Sequence, residues 1–544
     1  MNSFVIGLAI SMLTYLAVGW YAGRKVKHLD DYYVAGRNAP TLLIVGTLVA
    51  SFLSTNAFMG EAGMSYSGHA PLIVIMTGVN CVGYIIGALF FGRYLRRSRC
   101  LTVPQFFGRR FGGQRLQQLA GLTIVVALSG YLMAVTWGIA LIITQISGIP
   151  YHYAILIAWF GYTGFTLYSG SKGIIITDTI MFLLFVSVAM LALYYIVDAG
   201  GGWFETVRQL AVFEQKPGII SWHGVVGPES NWQTPMDALT WALILGVAWG
   251  IVVAVCPWQA SRYLMARSEH VVIRSACGAA LAMFMMYLAT SFGAAAVNLS
   301  NPNIEPPEST MIWVASNLMP TVAGAVFVSG ILAAGLSSAS TFLSLVGFSI
   351  SNDVLLHSGD PQRQLLATRV IMVGVSGLVL FLALVIPNNI FWITYFAGPV
   401  FASSWGVVAF MSIWSKRITE AAAFWGMAAG FLGNVGTNLL SLTGAVDLPV
   451  YLDPILVGAA ISLITVVLVS RDGQVTDDQH QFRERLHKTP SEELRPAEVT
   501  KTLVWSKVLI AAGAIMAIVI AVFYAKPYGA AIENTQVLRS ELVP

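Results

Sequence analysis

Charge is scarce in this chain. Only 10% of its 544 residues are Asp, Glu, Lys or Arg, whereas 56% are hydrophobic. A soluble domain carries about a quarter charged residues, so a water-soluble globule is excluded. Cysteines are few as well: Cys81, Cys100, Cys256 and Cys277 fall in or beside apolar runs and offer no disulfide framework. Catalytic signatures are missing. There is no P-loop, no dinucleotide fingerprint, no HExxH and no GxSxG, and the eight His are scattered. No polar stretch is large enough for a nucleotide-binding domain. Neither an enzyme nor an ATP-driven pump is expected, and no organic cofactor or nucleic-acid partner.

Long apolar runs are what the chain has instead, each able to cross about 30 Å of hydrocarbon. Fourteen spans are expected, at 3–23, 40–66, 71–93, 118–147, 151–170, 174–198, 237–265, 271–298, 321–350, 365–386, 389–415, 420–442, 450–470 and 503–525. The first has no basic residue before it and Arg24, Lys25 and Lys27 after it, so it reads as a span rather than a cleaved signal, with its N-terminus outside. That choice places both termini outside. It leaves only Arg208, Lys216, Lys526 and Arg539 of the 30 Lys and Arg outside, and the other 26 at inner ends and inner connections. Such a split obeys the positive-inside rule. An integral protein of the cell (inner) membrane is expected.

Three stretches read as extramembranous: 199–236, with "GGGWFETVRQL" as a short amphipathic helix; 299–320, opened by "NPNIEPPES"; and the charged segment 471–502, read as a solvated linker. Two spans carry breakers at membrane depth. Span 2 contains "SFLSTNAFMGEAGMSY", and span 7 contains "GVAWGIVVAVCPWQASRY", with Gly246, Gly250 and Pro257 as interruptions. Non-helical backbone survives there only where protein or a watery cavity satisfies it. The two lie five spans apart, so a duplicated five-helix unit would insert its second copy inverted; paired breaks of that kind point to a transporter's binding site.

Span 9, "FVSGILAAGLSSASTFLSLVGFSISNDV", puts Ala334, Ser338 and Thr341 on one strip and Ser337 and Ser340 on the next. Neutral hydroxyls and carbonyls at that density suit Na⁺; close helix packing is the competing reading. Asp178, one turn into span 6, is a functional candidate on cost alone, or a favourable first-turn carboxylate. Glu61 is the carboxylate of span 2, facing an outer vestibule or packed on a polar neighbour.

At five places the residues resemble the sodium/solute symporter family: "DDYYVAGRNAP", "LTVPQFFGRRFG", "TDTIMF", "PWQASRYLMARS" and "ILAAGLSSASTFLSLVGFSISNDV". The family includes bacterial proline, pantothenate, sialic acid and galactose symporters and the glucose cotransporters; the likeness runs over roughly residues 1–470. It implies an all-α polytopic membrane protein with the inverted five-plus-five repeat of the leucine transporter type. A first sodium site is then implied at the carbonyls of Ala50, Leu53 and Ala334 with the hydroxyls of Ser337 and Ser338. A second is implied at Asp178, Ser340 and Thr341, sharing Ser337. Substrate candidates are Ser54, Thr55, Asn56 and Phe58 of span 2, Trp137 of span 4, Trp249 of span 7, and Tyr395 and Phe396 of span 11. Asn56 and Ala57 replace the Gln/Glu pattern of sugar-transporting members, and Phe52 stands where proline-type members carry an acid. Span 4 lacks the mid-span basic residue of a sialic-acid-type member.

The division that follows is 1–39, first helix and loop; 40–198, first repeat; 199–236, external loop; 237–415, second repeat; 416–470, two accessory helices; 471–502, linker; 503–544, last helix and external tail. The leading expectation is sodium-coupled import of a small organic solute, a carboxylate, amino acid or similar metabolite, with the solute, Na⁺ and the bilayer as partners. The alternatives are a proton-coupled transporter with Asp178 titrating, or a sensor acting through a separate partner. A passive channel is disfavoured, because a mid-membrane site stands where a repeated filter ring would be.

Overall fold

The structure, a computed structural model, describes residues 3–24, 26, 28–356, 360–387, 390–446, 448–471 and 473–542. Lys25 and Lys27, used above to orient the first span, lie outside them. Among the described residues all regular structure is helical, and one isolated bridge pairs Ala39 with Ala266. Among the described residues eleven helices are long and apolar enough to cross a membrane. The other three expected spans are helical but shorter, kinked or more polar. Span 2 begins as Thr41–Phe52, too short to cross alone. Span 5 is the first part of Tyr151–Ala199, bent where Gly170 takes φ 53°, ψ −159° against the Tyr32 ring. Span 12 is Glu420–Leu442, which carries Asn434, Thr437 and Asn438.

Span 2 breaks where expected. Its first half closes with Leu53 N–H on Val49 O, Leu53 turns extended (ψ 94°), and the helix resumes with Ala57 N–H on Ser54 O. Span 7 also breaks, but only once. Pro235–Val255 is continuous through Gly246 and Gly250, and the interruption is Cys256 (ψ 150°) before Pro257–Met265. Proline has no N–H to continue the ladder. The two glycines are packing residues instead: a Cβ on Gly83 of span 3 would lie 2.1 Å from Gly250 O, and one on Gly246 would lie 2.7 Å from Val79 Cβ.

Connections sort to two ends. At one, Arg37 Nη2 donates to the carbonyls of Arg99 and Cys100, Arg96 reaches Ala266 O and Arg267 O, and Arg97 pairs with Glu269. At the other, Lys216 Nζ donates to Tyr66 O (3.0 Å) and Asn298 Oδ1 (2.6 Å), Val225 N–H donates to Gly68 O, and the Tyr524 hydroxyl donates to Ile220 O. The helix expected in 199–236 is present at Trp203–Ala211.

Segment 471–502 departs from a solvated linker. It forms the capped helix Asp477–His487, docked on the arginine-bearing end. Arg110 donates to Gln479 O, Gln479 Nε2 donates to Phe111 O (2.7 Å), Arg97 donates to Leu486 O, and His487 meets Ile413 O. Leu486 is buried. The seat for this helix is made by residues more than 60 positions away, so nothing in its own charge pattern announced it.

Candidate functional site

The break in span 2 takes four carbonyls out of the helical ladder, those of Ala50 to Leu53, at a point where every residue is buried. A buried backbone carbonyl needs a partner. Span 9 supplies one from across the bundle: Ser338 Oγ donates to Ala50 O at 3.5 Å. Gln259, in the second half of span 7, donates through Nε2 to Leu48 O at 3.1 Å, so the two broken spans meet beside the break. Small residues allow the approach. Thr55 is wedged between Gly138 of span 4 and Gly335 of span 9, where added Cβ atoms would lie 2.5 and 2.7 Å from its side chain. Of the first sodium set, Ala50 and Ser338 are thus in contact, Leu53 supplies a freed carbonyl beside them, and Ala334 lies buried one turn before Ser338.

Ser337 points elsewhere. Its hydroxyl donates to Asp178 Oδ1 at 2.7 Å, while Thr47 Oγ1 donates to Asp178 Oδ2 at 2.5 Å. Arg262 completes this cluster. Its Nη2 lies 3.5 Å from Asp178 Oδ2 and donates to Thr341 Oγ1 at 2.5 Å. Asp178 and Thr341, expected to share an ion, therefore share a guanidinium. Ser340 does not join them, because its hydroxyl bonds back to Ser337 O (2.8 Å). Neither Thr47 nor Arg262 was among the sequence candidates. Thr47 is one hydroxyl in an apolar helix and gave no signal. Arg262 counted as one of the basic residues flanking a span; the available signal was its place only five residues after Pro257, inside a short helix whose nine residues are all buried.

On the other side of the break lies an aromatic wall. Phe52 meets Trp249 (5.6 Å) and Tyr84 (6.5 Å), Trp249 meets Tyr395 (5.7 Å), and Tyr395 stacks between Phe391 (4.2 Å) and Trp241 (6.3 Å). Several polar atoms here are buried without a partner: Thr55 Oγ1, Asn56 Oδ1, Glu61 Oε2, Thr77 Oγ1, Asn80 Oδ1 and Trp249 Nε1. Buried polar groups are ordinarily bonded, so such a concentration marks a place for a ligand. Ser54 Oγ accepts from Asn56 N–H and shapes the turn.

Three substrate candidates are placed outside this wall. Phe58 is buried against Phe185 of span 6 (6.1 Å). Trp137 donates its indole N–H to Ala383 O of span 10 (2.9 Å). Phe396 is 37% exposed and lines an outer cavity of about 670 Å³ with Trp241, Tyr395, Asn438 and Asp453.

Access is uneven. That cavity and another of about 410 Å³, walled by Gly60, Gly63, Pro307, Glu308 and Phe391, open at the end away from the arginines. Toward the arginines, the space among Arg262, Thr341, Ser344, Ser349 and Thr102 shrinks to about 10 Å³. Among the described residues no group of three or more His, Cys, Asp or Glu could hold a metal ion. The oxygens at the break are neutral ones, the donor set that suits a hard monovalent cation.

The model of the sodium:solute symporter family matches residues 32–430. Similar proteins include the high-affinity proline transporter PutP of Bacillus subtilis, 24% identical over 479 residues, covering 84% of this chain and 95% of that protein. The sodium/pantothenate symporter of Escherichia coli is 23% identical, covering 78% of this chain and 88% of that protein. Among solved structures, a substrate-bound, outward-open Na⁺-coupled sialic acid symporter superposes with a TM-score of 0.73 at 18% identity, over 88% of this chain and 99% of that one. Mhp1, a nucleobase-cation-symport-1 family transporter in a closed conformation, gives 0.53 at 11% identity, over 84% of this chain and 98% of its own.

Proposed function

The chain belongs to the sodium:solute symporter family, a family of transporters rather than enzymes, and on that footing we propose that it couples the inward movement of Na⁺ to uptake of a small organic solute, a carboxylate, amino acid or similar metabolite. The reading includes fourteen spans in two inverted five-helix repeats, 40–198 and 237–415, working by alternating access, with both termini outside. The carrying observation is the contact across the break, Ser338 Oγ on Ala50 O, beside carbonyls that have left the helical ladder. The paired breaks at Leu53 and Cys256 support the repeat, because each stands in the first helix of its five.

In this reading Na⁺ binds among Ala50 O, Leu53 O, Ala334 O and Ser338 Oγ, and Ser337 instead holds Asp178. Arg262 takes the second cation position, which gives one coupling ion per cycle. One charge moving down 100 mV supplies about 2.3 kcal/mol, in addition to the concentration gradient. The solute sits between the break and the aromatic wall, against Ser54, Thr55, Asn56, Trp249 and Tyr395. Phe58 and Trp137 support the helices that carry these groups, and Phe396 lies on the approach.

The test is a thermal-stability titration of the purified protein with NaCl, at ionic strength held constant with KCl. A ligand at 100 times its Kd stabilises by about 2.7 kcal/mol. The wild type is expected to show a sodium-specific rise in Tm that Ser338→Ala abolishes. Equal responses to NaCl and KCl would remove the sodium-coupled reading.

A further inference from the structure

Glu61 has no place in the sodium chemistry, and its surroundings are unusual for an acid. It is 5% exposed, five residues beyond Asn56 on the resumed half of span 2. Oε1 accepts a long bond from the Tyr395 hydroxyl (3.4 Å), the Tyr287 hydroxyl also faces the carboxylate, and Oε2 has no partner within hydrogen-bond distance. Tyr395 itself is divided, with Met76 Sδ 3.0 Å from its hydroxyl. Among the described residues no Lys, Arg or His lies within ion-pair distance of Glu61. A carboxylate normally takes bonds of about 2.5–2.9 Å from several donors, and burying one without them is costly.

We propose that Glu61 receives the ammonium group of the transported solute, so that the substrate is an ammonium-bearing zwitterion of amino-acid size. The inference rests on the symport reading above and narrows its solute. Three observations carry it. The carboxylate faces the hydroxyls of Tyr287 and Tyr395, and Tyr395 in turn meets the Trp249 ring and the Met76 thioether, an aromatic surround that attracts organic cations but gives a metal ion too few oxygens. Trp249 Nε1–H, also buried and unpartnered, is a donor free for the solute's own carboxylate on the side toward the break. Finally, the two outer cavities beside this region carry one carboxylate each among their lining residues, Asp453 in the larger and Glu308 in the smaller, and no basic side chain. Gly60 and Gly63, which flank Glu61, line the smaller cavity, and Tyr395 lines the larger. An anion without an ammonium group would meet an acid in either cavity.

Pairs of solutes that differ only in the amino group test this on the full-length purified protein in saturating NaCl: L-leucine with 4-methylpentanoate, L-phenylalanine with 3-phenylpropanoate, L-proline with cyclopentanecarboxylate. At least one ammonium member is expected to raise the Tm of the wild type while its partner does not. Glu61→Gln should weaken that apparent affinity at least about tenfold while keeping the Tm rise with sodium alone. Three results would each overturn the proposal: a deaminated partner binding as well as its amine, no ammonium member binding, or Glu61→Gln binding like wild type. Should Glu61→Gln fail to fold, the wild-type pairs decide alone. Failure here leaves the sodium response and its loss in Ser338→Ala intact, whereas failure of the symport reading removes them.

Discussion

Arg262 brings a full positive charge to a place only 2% exposed, where it meets Asp178 (0% exposed) and the Thr341 hydroxyl. Removing one partner of a buried pair leaves the other charge uncompensated and costs about 3–5 kcal/mol. Arg262→Ala should therefore lower Tm strongly in KCl. In NaCl part of the loss should return, since the oxygens of Asp178, Ser337 and Thr341 then stand free for a small cation, and adding Asp178→Asn should remove that extra sodium response. A thermal titration of the three proteins checks this. If Arg262→Ala follows NaCl as wild type does, the guanidinium is not standing in a cation's place. The neighbouring serines show how finely one helix divides its labour: residues 337 and 338 are adjacent, yet one faces a carboxylate and the other a broken helix.

Helices are where the sequence was most and least informative. The breaks were legible because Pro257 and the polar run after Phe52 act locally, through a missing donor and through side chains that compete with the ladder. Gly246 and Gly250 misled for the complementary reason: a glycine marks either a bend or a close approach, and only the partner helix decides which. Asp178, Ser337, Ser338 and Thr341 could be nominated from cost and periodicity, but Ser340's turn back on its own helix and the arrival of Arg262 depend on tertiary contacts. The loop 199–236 gives an element-scale prediction. Lys216 anchors it, with Nζ on Tyr66 O and Asn298 Oδ1 and over the Tyr66 ring at 3.9 Å, and burial lowers its pKa from 10.5 to about 8. Between those values the unfolded chain binds the extra proton, so this group's contribution to stability rises with pH from about 8 to 10.5 and is flat below. The Tm of wild type minus that of Lys216→Met should climb across that window; a falling or level difference would contradict the buried ammonium.

At the scale of the molecule, two ends differ in charge and in access. Arg37, Arg96, Arg97 and Arg110 tie together the connections after spans 1, 3 and 7 and the helix Asp477–His487, while the outer cavities open at the opposite end. Arg97, held by Glu269 and Leu486 O, ties the end of span 3 to the start of span 8 and to the docked helix. Orientation decides what that tie means: arginines inside would make this helix part of the inner closure of an importer. The native cysteines are all buried, so introduced ones can report the orientation against a low background. Glu229, in 199–236, and Glu484, on the docked helix, are both exposed. In intact cells a membrane-impermeant maleimide should label Glu229→Cys and leave Glu484→Cys unlabelled until the membrane is permeabilised. The reverse pattern would invert every span, and it would put the break's larger cavities on the cytoplasmic side, where they would serve release of the solute rather than its capture.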